Sequence, residues 1–599
     1  MPSVSRSGSQ LPFSPGAHMY RRQTSWAGSI NSDSPYPGTS PSPSLQARYS
    51  LGPDPAKWGC SLDPQEEDPD DELHRPEVIT GIERGGHALS VRGATNLGCL
   101  LILVAGILAL FIGYPVLSFR SQLRETSGAF NLGDRNGSGQ VPGIPGNWGL
   151  IDAETPEEAY SKPSWVGDEE MLLVFSDEFN TDGRSFYPGD DPYWEAVDLH
   201  YWETNNLEWY DPAAVTTFNG SLEITLQPKE THNLSFQGGM LSTWNKFCFT
   251  GGLIEVSARL PGANNILGLW PAVWTMGNLG RAGYGATLDG NWPYSYDSCD
   301  VGIAPNQTLN GLPKAATEGG DKGHHGDLSW LPGASRVPFF PISLPERGSS
   351  IPGQRLSSCT CPGESHPGPQ NPDGSFVGRS APEIDVFEAQ INSDLVSQVS
   401  QSAQWAPFNA GYNWLNNSDN FILADPTISQ LNTFTGSITQ QATSVVTSTD
   451  PACYEKNGGC FSVYAFEYKP GVVDAYITWI SNNQLAWTIK AAGLGPDPTV
   501  QIGARIVSQE PMYILANLGM STNFGPVDIA HLPFPCTLSI DYIRVYQPKG
   551  AINIGCDPPN FPTSNYINQY MEAYTNPNLT TWTDDFHQPW PKSKFLGEC

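Results

Sequence analysis

The 599-residue chain has a formal net charge of −30, because 61 Asp and Glu residues outweigh 31 Lys and Arg residues. This charge argues against nucleic acid or an anionic lipid surface as the main partner, whereas a neutral glycan needs no charge complement. The 61 Gly and 53 Pro residues indicate that much of the chain is turn, loop or linker.

The first 119 residues predict a tail followed by a membrane anchor. Residues 1–96 are rich in Ser, Pro and Gly and show no lasting apolar period, so we expect a disordered cytosolic tail. Residues 97–119 are 23 uncharged, mostly apolar residues, enough to span a bilayer. We predict a single transmembrane signal anchor there. Arginines flank it equally and do not orient it.

Sequons and cysteines after residue 119 predict how the anchor is oriented in the membrane. Six sequons follow the anchor, and none precedes it. Their predicted glycosylation sites are Asn136, Asn219, Asn233, Asn306, Asn416 and Asn578. Nine of the eleven cysteines also follow it, which is an odd number and leaves at least one thiol free or paired between chains. Cys453 and Cys460 have the spacing of a small disulfide loop. Together these features predict a type II membrane protein of the secretory pathway, with a lumenal or extracellular ectodomain.

The remaining chain is predicted to form a stem, one all-β domain and a C-terminal extension. Residues 120–170 form a Gly, Pro and acid-rich stem, and residues 171–547 carry short alternating strands between turns. The clearest strands are 221–226, 252–260, 463–468, 475–479 and 538–546. We predict a two-sheet antiparallel sandwich with little helix, interrupted by a long insertion at about 278–380. Residues 548–599 are a Cys-bearing extension.

Three carboxylates in one predicted strand mark the candidate active site. Glu383 and Asp385 share a face because a strand alternates, and one β-bulge would return Glu388 to that face. Two carboxylates flanking a glycosidic bond can break it, and a third can set the protonation state of a neighbour. The alternative is an exposed strand edge with solvated acids.

Aromatic residues near this strand are candidate sugar platforms. Trp270 and Trp274 lie on one face of a predicted strand, and Trp405 and Trp414 follow the carboxylates. Sugar rings stack on aromatic faces, so we predict substrate binding for all four, although Trp is also a large core residue.

No metal or cofactor site is predicted. His324 and His325, with Asp321 and Asp327, lack helical or zinc-finger spacing. Cys359 and Cys361 are not a C-x-x-C pair either, and no second ligand pair accompanies them.

Five segments, in order, resemble glycoside hydrolase family 16, the laminarinase-like β-jelly-roll glucanases. The segment 383–388 resembles that family's bulged E-x-D-x-x-E strand. The other four are 175–179, 251–260, 269–274 and 541–546. The resemblance implies a concanavalin-like jelly roll, with Glu383 as nucleophile, Glu388 as acid/base and Asp385 between them. It also implies a retaining double displacement.

The whole layout resembles the fungal β-glucan-synthesis-associated membrane proteins, which are linked to β-1,6-glucan of the cell wall. This resemblance implies a β-glucan polysaccharide or oligosaccharide as substrate and the cell-wall synthesis machinery as a partner. The insertion at 278–380 and the extension at 548–599 depart from secreted laminarinases, which leaves substrate and outcome open.

Two hypotheses follow for the function. The first is a membrane-anchored glycosidase or transglycosylase acting on β-glucan, with hydrolysis and transfer left open. The second is a non-catalytic glycan-binding or scaffold protein that assists wall assembly, which a buried Glu383 would favour. A nucleotide-sugar synthase is disfavoured, because the sequence has neither a nucleotide-binding loop nor several membrane spans.

Overall fold

The computed structural model describes residues 91–108, 111, 149–317 and 351–599. Helix α1, Val91–Leu108, begins before the predicted start of the anchor. Within the described part of the chain, no helix has both the length and the apolar character that crossing a bilayer requires. Most of the predicted tail, residues 109–110 and 112–119 of the predicted anchor, and residues 120–148 of the stem lie outside the described residues.

Strands dominate the rest of the described chain. They number nineteen, and all their pairings are antiparallel except that of β4 with β7. In chain order the strands are β1 Ser161–Pro163, β2 Glu170–Asp177, β3 Glu195–Ala196, β4 Glu208–Tyr210, β5 Val215–Phe218, β6 Ser221–Thr231, β7 Leu234–Ser242, β8 Gly252–Arg259, β9 Trp270–Gly277, β10 Glu383–Ile391, β11 Ser397–Trp405, β12 Phe421–Leu423, β13 Ser429–Leu431, β14 Gln441–Ser448, β15 Ser462–Lys469, β16 Tyr476–Ser481, β17 Gln484–Lys490, β18 Met512–Gly519 and β19 Cys536–Pro548.

The strands form two main layers. The first has the order β1-β2-β19-β8-β15-β16-β17-β12, and the β5–β6 pair extends it alongside β19. The second has the order β3-β7-β18-β9-β10-β11-β14-β13. The pairing of β6 with β7 joins the two layers. The predicted all-β, antiparallel architecture is therefore confirmed.

The core lies between these layers because each strand turns alternate side chains inward. Ile254 and Val256 of β8 belong to the same buried cluster as Ile384 and Val386 of β10. Burying a side chain of this size contributes about 1.5–3 kcal/mol. Trp479 of β16 also donates a 2.8 Å hydrogen bond from Nε1 to the carbonyl oxygen of Asp385. The carboxylate strand is thus fixed from behind by the opposite layer.

Helical structure is sparse in the sandwich. The short helices there are α2 Gly285–Leu288, α3 Ser564–Gln569 and α4 Met571–Thr575. Single 3₁₀ turns cover Glu157–Ala159, Trp202–Thr204, Pro212–Ala214, Val301–Ile303, Pro305–Gln307, Lys314–Ala316 and Ala491–Leu494. In the described parts of the predicted insertion, 278–317 and 351–380, no extended strand forms. Irregular backbone of this kind matches the Gly and Pro content of the segment.

Four disulfides occur among the described residues. They are Cys248–Cys556, Cys299–Cys359, Cys361–Cys599 and Cys453–Cys460. The first joins the sandwich to the extension, the second lies within the insertion, the third joins the insertion to the extension, and the fourth closes a local loop. The last pair confirms the predicted small loop. Cys536 is buried and has no disulfide partner, which accounts for the odd number of cysteines after the predicted anchor.

Candidate active site

A β-bulge in β10 brings the three carboxylates to one face. Asp385 pairs with Ser402 of β11 and Glu388 with Ser400, so three steps along β10 match two along β11. Val386 and Phe387, adjacent in sequence, both lie in the core. The extra residue restores the outward direction of Glu388, as the sequence predicts.

Each carboxylate has its own hydrogen-bond donors. Trp292 Nε1 donates to Glu383 Oε2 at 2.7 Å. Trp270 Nε1 donates to Glu388 Oε1 at 2.9 Å. Asp385 Oδ2 accepts from Ser402 Oγ at 2.7 Å and from Gln404 Nε2 at 3.1 Å. Asp385 is buried, whereas Glu383 and Glu388 are half-buried as whole residues.

Burial raises the pKa of all three carboxyl groups, and repulsion from neighbouring carboxylates adds to it at Glu383 and Glu388. Burial raises the pKa of Asp385 to about 6, and the hydrogen bonds from Ser402 and Gln404 oppose this. Burial, together with the charge of Asp385, raises the pKa of Glu388 to about 8. The same two causes, with the charge of Glu388 added, raise the pKa of Glu383 well above its usual range. The group therefore titrates as one unit that holds protons at neutral pH.

This arrangement can supply a proton donor at neutral pH. A carboxyl group whose pKa lies near 8 stays protonated and can donate to a leaving oxygen. The elevated pKa of Glu383 in the free protein is opposite to what a nucleophile needs, because the attacking group must be ionised. Ionisation of Glu383 becomes easier when Asp385 is protonated, since the charge of Asp385 is the main repulsive influence on it.

Two predicted tryptophans lie beside the carboxylates. Trp270 is half-buried, stacks on Phe524 with ring centroids 4.2 Å apart, and donates to Glu388. Trp274 pairs with Asp385 across β9 and β10, but only 8% of its surface is exposed. Its Nε1 donates to Asn517 Oδ1 at 2.8 Å. The structure thus brings both to the acid face, with Trp270 the more accessible.

The other two predicted tryptophans lie elsewhere. Trp405 is 2% exposed in the core, and its Nε1 donates to Thr443 Oγ1. It follows Gln404 in β11, so alternation turns it to the face opposite the carboxylates. Trp405 is therefore corrected from a substrate-binding candidate to a core residue. Trp414 lines a different cavity, in whose lining none of the three carboxylates takes part.

Sequence reasoning missed three residues of the site: Trp292, Ser402 and Gln404. Ser402 and Gln404 could have been found, because polar residues at alternate positions of β11 lie on the same face. Trp292 gives no such indication, since it lies in an irregular segment 91 positions before Glu383.

The segment that carries Trp292 is held by buried contacts. Asn291 accepts a backbone hydrogen bond from Ala381, just before β10. Arg379 is fully buried and forms two hydrogen bonds to Glu510, at 2.8 and 2.7 Å. Its Nη1 also donates to the carbonyl oxygen of Pro562 in the extension. The entry to β10, the segment before β18 and the extension are thus connected.

The predicted glycosylation sites are mostly accessible. Asn219, Asn233, Asn416 and Asn578 are exposed, and Asn306 is half-buried. Asn136 lies outside the described residues. Glycosylation itself stays a prediction.

Possible metal ligands come together at one place among the described residues. Among the described residues, the one cluster with suitable spacing is Asp450, Cys453 and Cys460, but the two cysteines form a disulfide and are unavailable. The sequence segment with His324 and His325 lies outside the described residues.

Comparison with known proteins identifies the family to which this chain belongs. Residues 60–599 match the family described as Beta-glucan synthesis-associated protein SKN1/KRE6/Sbg1. The chain belongs to this family. The Beta-glucan synthesis-associated protein KRE6 of Saccharomyces cerevisiae is 39% identical over 545 residues, which cover 89% of this chain and 69% of that protein. The predicted resemblance to the fungal β-glucan-synthesis-associated proteins is thereby confirmed.

Two further proteins resemble parts of this family member. The Endo-1,3-1,4-beta-glycanase EglC of Rhizobium meliloti is 32% identical over 163 residues, 23% of this chain and 32% of that enzyme. The catalytic domain of an endo-1,3-beta-glucanase (laminarinase) from Thermotoga petrophila RKU-1 covers 64% of this chain and 99% of that domain, with 17% identity and a TM-score of 0.34.

Proposed function

We propose that this protein is a membrane-anchored glycosidase or transglycosylase that acts on β-glucan in fungal cell-wall biogenesis, in the assembly of β-1,6-glucan. The observation that carries the proposal is the bulge that sets Glu383, Asp385 and Glu388 on one face. A structural strand needs no such cluster of carboxyl groups, whereas glycosidic bond cleavage uses two of them. The names of the related proteins support β-glucan as the substrate class.

The proposed reaction is a double displacement with retention. Glu383 attacks the anomeric carbon as Glu388 protonates the leaving glycosidic oxygen, and a covalent glycosyl-enzyme forms. Glu388 then removes a proton from water, which gives hydrolysis, or from a sugar hydroxyl, which gives transfer. Asp385 lies between them and tunes when each carboxyl group ionises. Trp270, beside Glu388, provides an aromatic face for a sugar ring.

The test is to incubate the purified protein with defined β-1,3- and β-1,6-linked gluco-oligosaccharides and to read the products by mass. Longer products mean transfer, and shorter products mean hydrolysis. Glu383→Gln keeps the shape and removes the attacking group, so activity should fall by several orders of magnitude. Glu170→Gln, an exposed carboxylate in an ion pair with Lys549, is the matched control and should retain activity.

Glu388→Ala tests proton donation separately from nucleophilic attack. It removes the proton donor, so cleavage of unactivated substrates should fall about 10²- to 10⁴-fold. A substrate with a good leaving group needs no donor and should still form the glycosyl-enzyme. Added azide should then restore turnover and give a β-glycosyl azide. Full activity of Glu383→Gln would contradict the proposed catalytic mechanism, and the scaffold hypothesis would then be favoured.

The second candidate is the non-catalytic glycan-binding or scaffold protein. It is favoured by the hydrogen bond from Trp292, since the insertion already occupies one oxygen of the predicted nucleophile. Under this hypothesis the protein binds β-glucan and recruits the cell-wall synthesis machinery. Oligosaccharides would then bind and remain uncleaved, and wall glucan would be normal in a strain carrying Glu383→Gln.

For the topology we propose a cytosolic tail, an anchor at 97–119 and a lumenal or extracellular ectodomain. The exposed sequons and the disulfides support this orientation. Endoglycosidase should increase the mobility of the protein on a gel, and protease added to sealed microsomes should remove only the first ~96 residues. Protection of those residues with loss of the ectodomain would reverse the orientation.

A further inference from the structure

A cavity lies away from the carboxylates, none of which lines it. Its volume is about 450 Å³, within the range of small-molecule sites. The loop after β11 contributes Asn409 and Trp414, the turn after β17 contributes Asp497 and Thr499, and Arg505 completes the wall. The proposed function makes no use of this cavity.

The polar part of the wall is held in place by its own hydrogen bonds. Asn409 Nδ2 donates to Asp497 Oδ2 at 3.0 Å, and the backbone N–H of Thr499 donates to Asp497 Oδ1 at 2.8 Å. Asn409 Oδ1 accepts from the N–H of Gly411. These contacts join the two loops, so a ligand meets side chains that are already ordered.

Arg505 gives the wall a buried donor. It is 2% exposed, and its Nη1 donates to Gln441 Oε1 at 2.9 Å and to the carbonyl oxygen of Pro407. Its Nε is buried without a hydrogen-bond partner among the described residues. Burial lowers the pKa of Arg505 to about 10, and the charge of Asp497 opposes this. One cation faces one anion, so the cavity carries no excess charge.

Trp414 supplies the apolar part. It is half-buried and packs edge-on against Phe421, with ring centroids 5.9 Å apart. A Cβ at Gly493 would lie 3.2 Å from its ring, so the glycine permits this close approach. An ordered indole beside amide, hydroxyl, carboxylate and guanidinium groups is the combination that binds a sugar ring by stacking and hydrogen bonds.

We propose that this cavity binds a short, neutral β-gluco-oligosaccharide at a site separate from the carboxylates. An anionic ligand would meet Asp497, and a cationic one Arg505, whereas a neutral polyhydroxylated ligand uses both. Binding here does not depend on catalysis, so the inference goes beyond the proposed function.

The two sites lie at the same end of neighbouring strands. Gln404 of β11 contacts Asp385 through Nε2, and its Oε1 accepts from Gln440 Nε2 at 3.4 Å. The next residue, Gln441 of β14, accepts from Arg505. Gln441 pairs with Trp405, whose side chain lies in the core, so the contact between Gln441 and Arg505 is on the opposite face of the sheet from Asp385.

The test is calorimetric titration of the full-length protein with β-1,3- and β-1,6-linked gluco-oligosaccharides of two to four sugars. The expected result is two sites per chain for at least one linkage. Trp414→Ala should weaken one of them at least about tenfold, and Trp270→Ala the other. Trp209→Ala, which removes a half-buried indole elsewhere, is the matched control and should leave both sites unchanged. Thr499→Val changes an exposed lining residue, so it tests the same site if Trp414→Ala fails to fold.

The outcomes separate the two proposals. A single site that Trp414→Ala or Thr499→Val weakens, with no cleavage, supports the second site and contradicts the proposed function. Unchanged stoichiometry and affinity in folded Trp414→Ala or Thr499→Val overturn the second site. Tighter binding of a uronic-acid oligosaccharide than of the neutral one at the Trp414 site overturns the assignment of a neutral ligand.

Discussion

Trp292 Nε1 donates a 2.7 Å hydrogen bond to Glu383 Oε2 across 91 positions of sequence. The indole comes from the insertion and the carboxylate from β10, so a segment outside both layers sets the environment of the proposed nucleophile. Donation stabilises the ionised carboxylate, and it opposes the burial and the neighbouring charges that raise the pKa of Glu383.

Trp292→Phe keeps an aromatic ring and removes the donor. The pKa of Glu383 should rise further, so the acidic limb of the kcat/KM profile should move to higher pH by about one unit. Trp209→Phe is the control, because Trp209 Nε1 donates to Asp198 Oδ1 away from the site. If the acidic limb stays in place in a folded Trp292→Phe protein, Glu383 is not the group that must ionise.

Asp385→Asn removes the charge that raises the pKa of both Glu383 and Glu388. With the repulsion gone, each remaining carboxyl group ionises at lower pH, so both limbs of the pH profile should shift downward. The alkaline limb should move below its expected position near the Glu388 pKa of about 8. Asp419→Asn, at an exposed position, should leave both limbs unchanged. If the alkaline limb does not move, Glu388 is not the group whose ionisation produces it.

Glu388→Gln should make the fold more stable at alkaline pH. The folded-state pKa of Glu388, about 8, lies above its ordinary value of 4.5, so the folded state holds a proton that the unfolded chain releases. Wild-type stability is therefore lost as pH rises from about 4.5 to 8, and the neutral amide avoids this loss. Because water partly screens Glu388, we expect a relative gain of about 1–2 kcal/mol at pH 8 and little at pH 4. Urea unfolding at both values measures it, and parallel pH dependences would contradict the elevated pKa.

Glu510→Gln tests the buried connection at the entry to β10. It leaves the Arg379 guanidinium buried without its counter-charge, which should cost about 3–5 kcal/mol of unfolding free energy. Glu170→Gln breaks the exposed pair with Lys549 and should cost about 0–1 kcal/mol. Urea unfolding compares them. Similar small losses would mean that Arg379 is solvated or finds another partner.

The direction of the side chains in the carboxylate strand could be predicted because it depends on residues that are close in sequence. Alternation assigned Glu383 and Asp385 to one face, and a single bulge accounted for Glu388, as the register shows. Trp405 was assigned wrongly for a reason equally local. Trp405 is close to the carboxylates in sequence, but its parity relative to Gln404 in β11 turns it into the core.

The contacts made by the insertion were not predictable. Trp292 reaches Glu383, and Arg379 reaches Glu510 over 131 positions, through backbone that has no repeating period. Pairing patterns determine which strand residues meet, but irregular segments are placed by many side-chain contacts and by disulfides. Sequence periodicity carries no information about such contacts.

The disulfides order the steps by which the molecule matures. Cys299 and Cys359 are 60 positions apart and Cys361 follows two residues later, but the partner of Cys361 is 238 positions later, at Cys599. Until residue 599 has been made, Cys361 has no native partner and competes with Cys359 for Cys299. A disulfide isomerase can correct the wrong bond by exchange. The sandwich can thus complete its strand pairing while the segment that carries Trp292 still awaits its last covalent link, so folding of the strands and completion of the site are separate events.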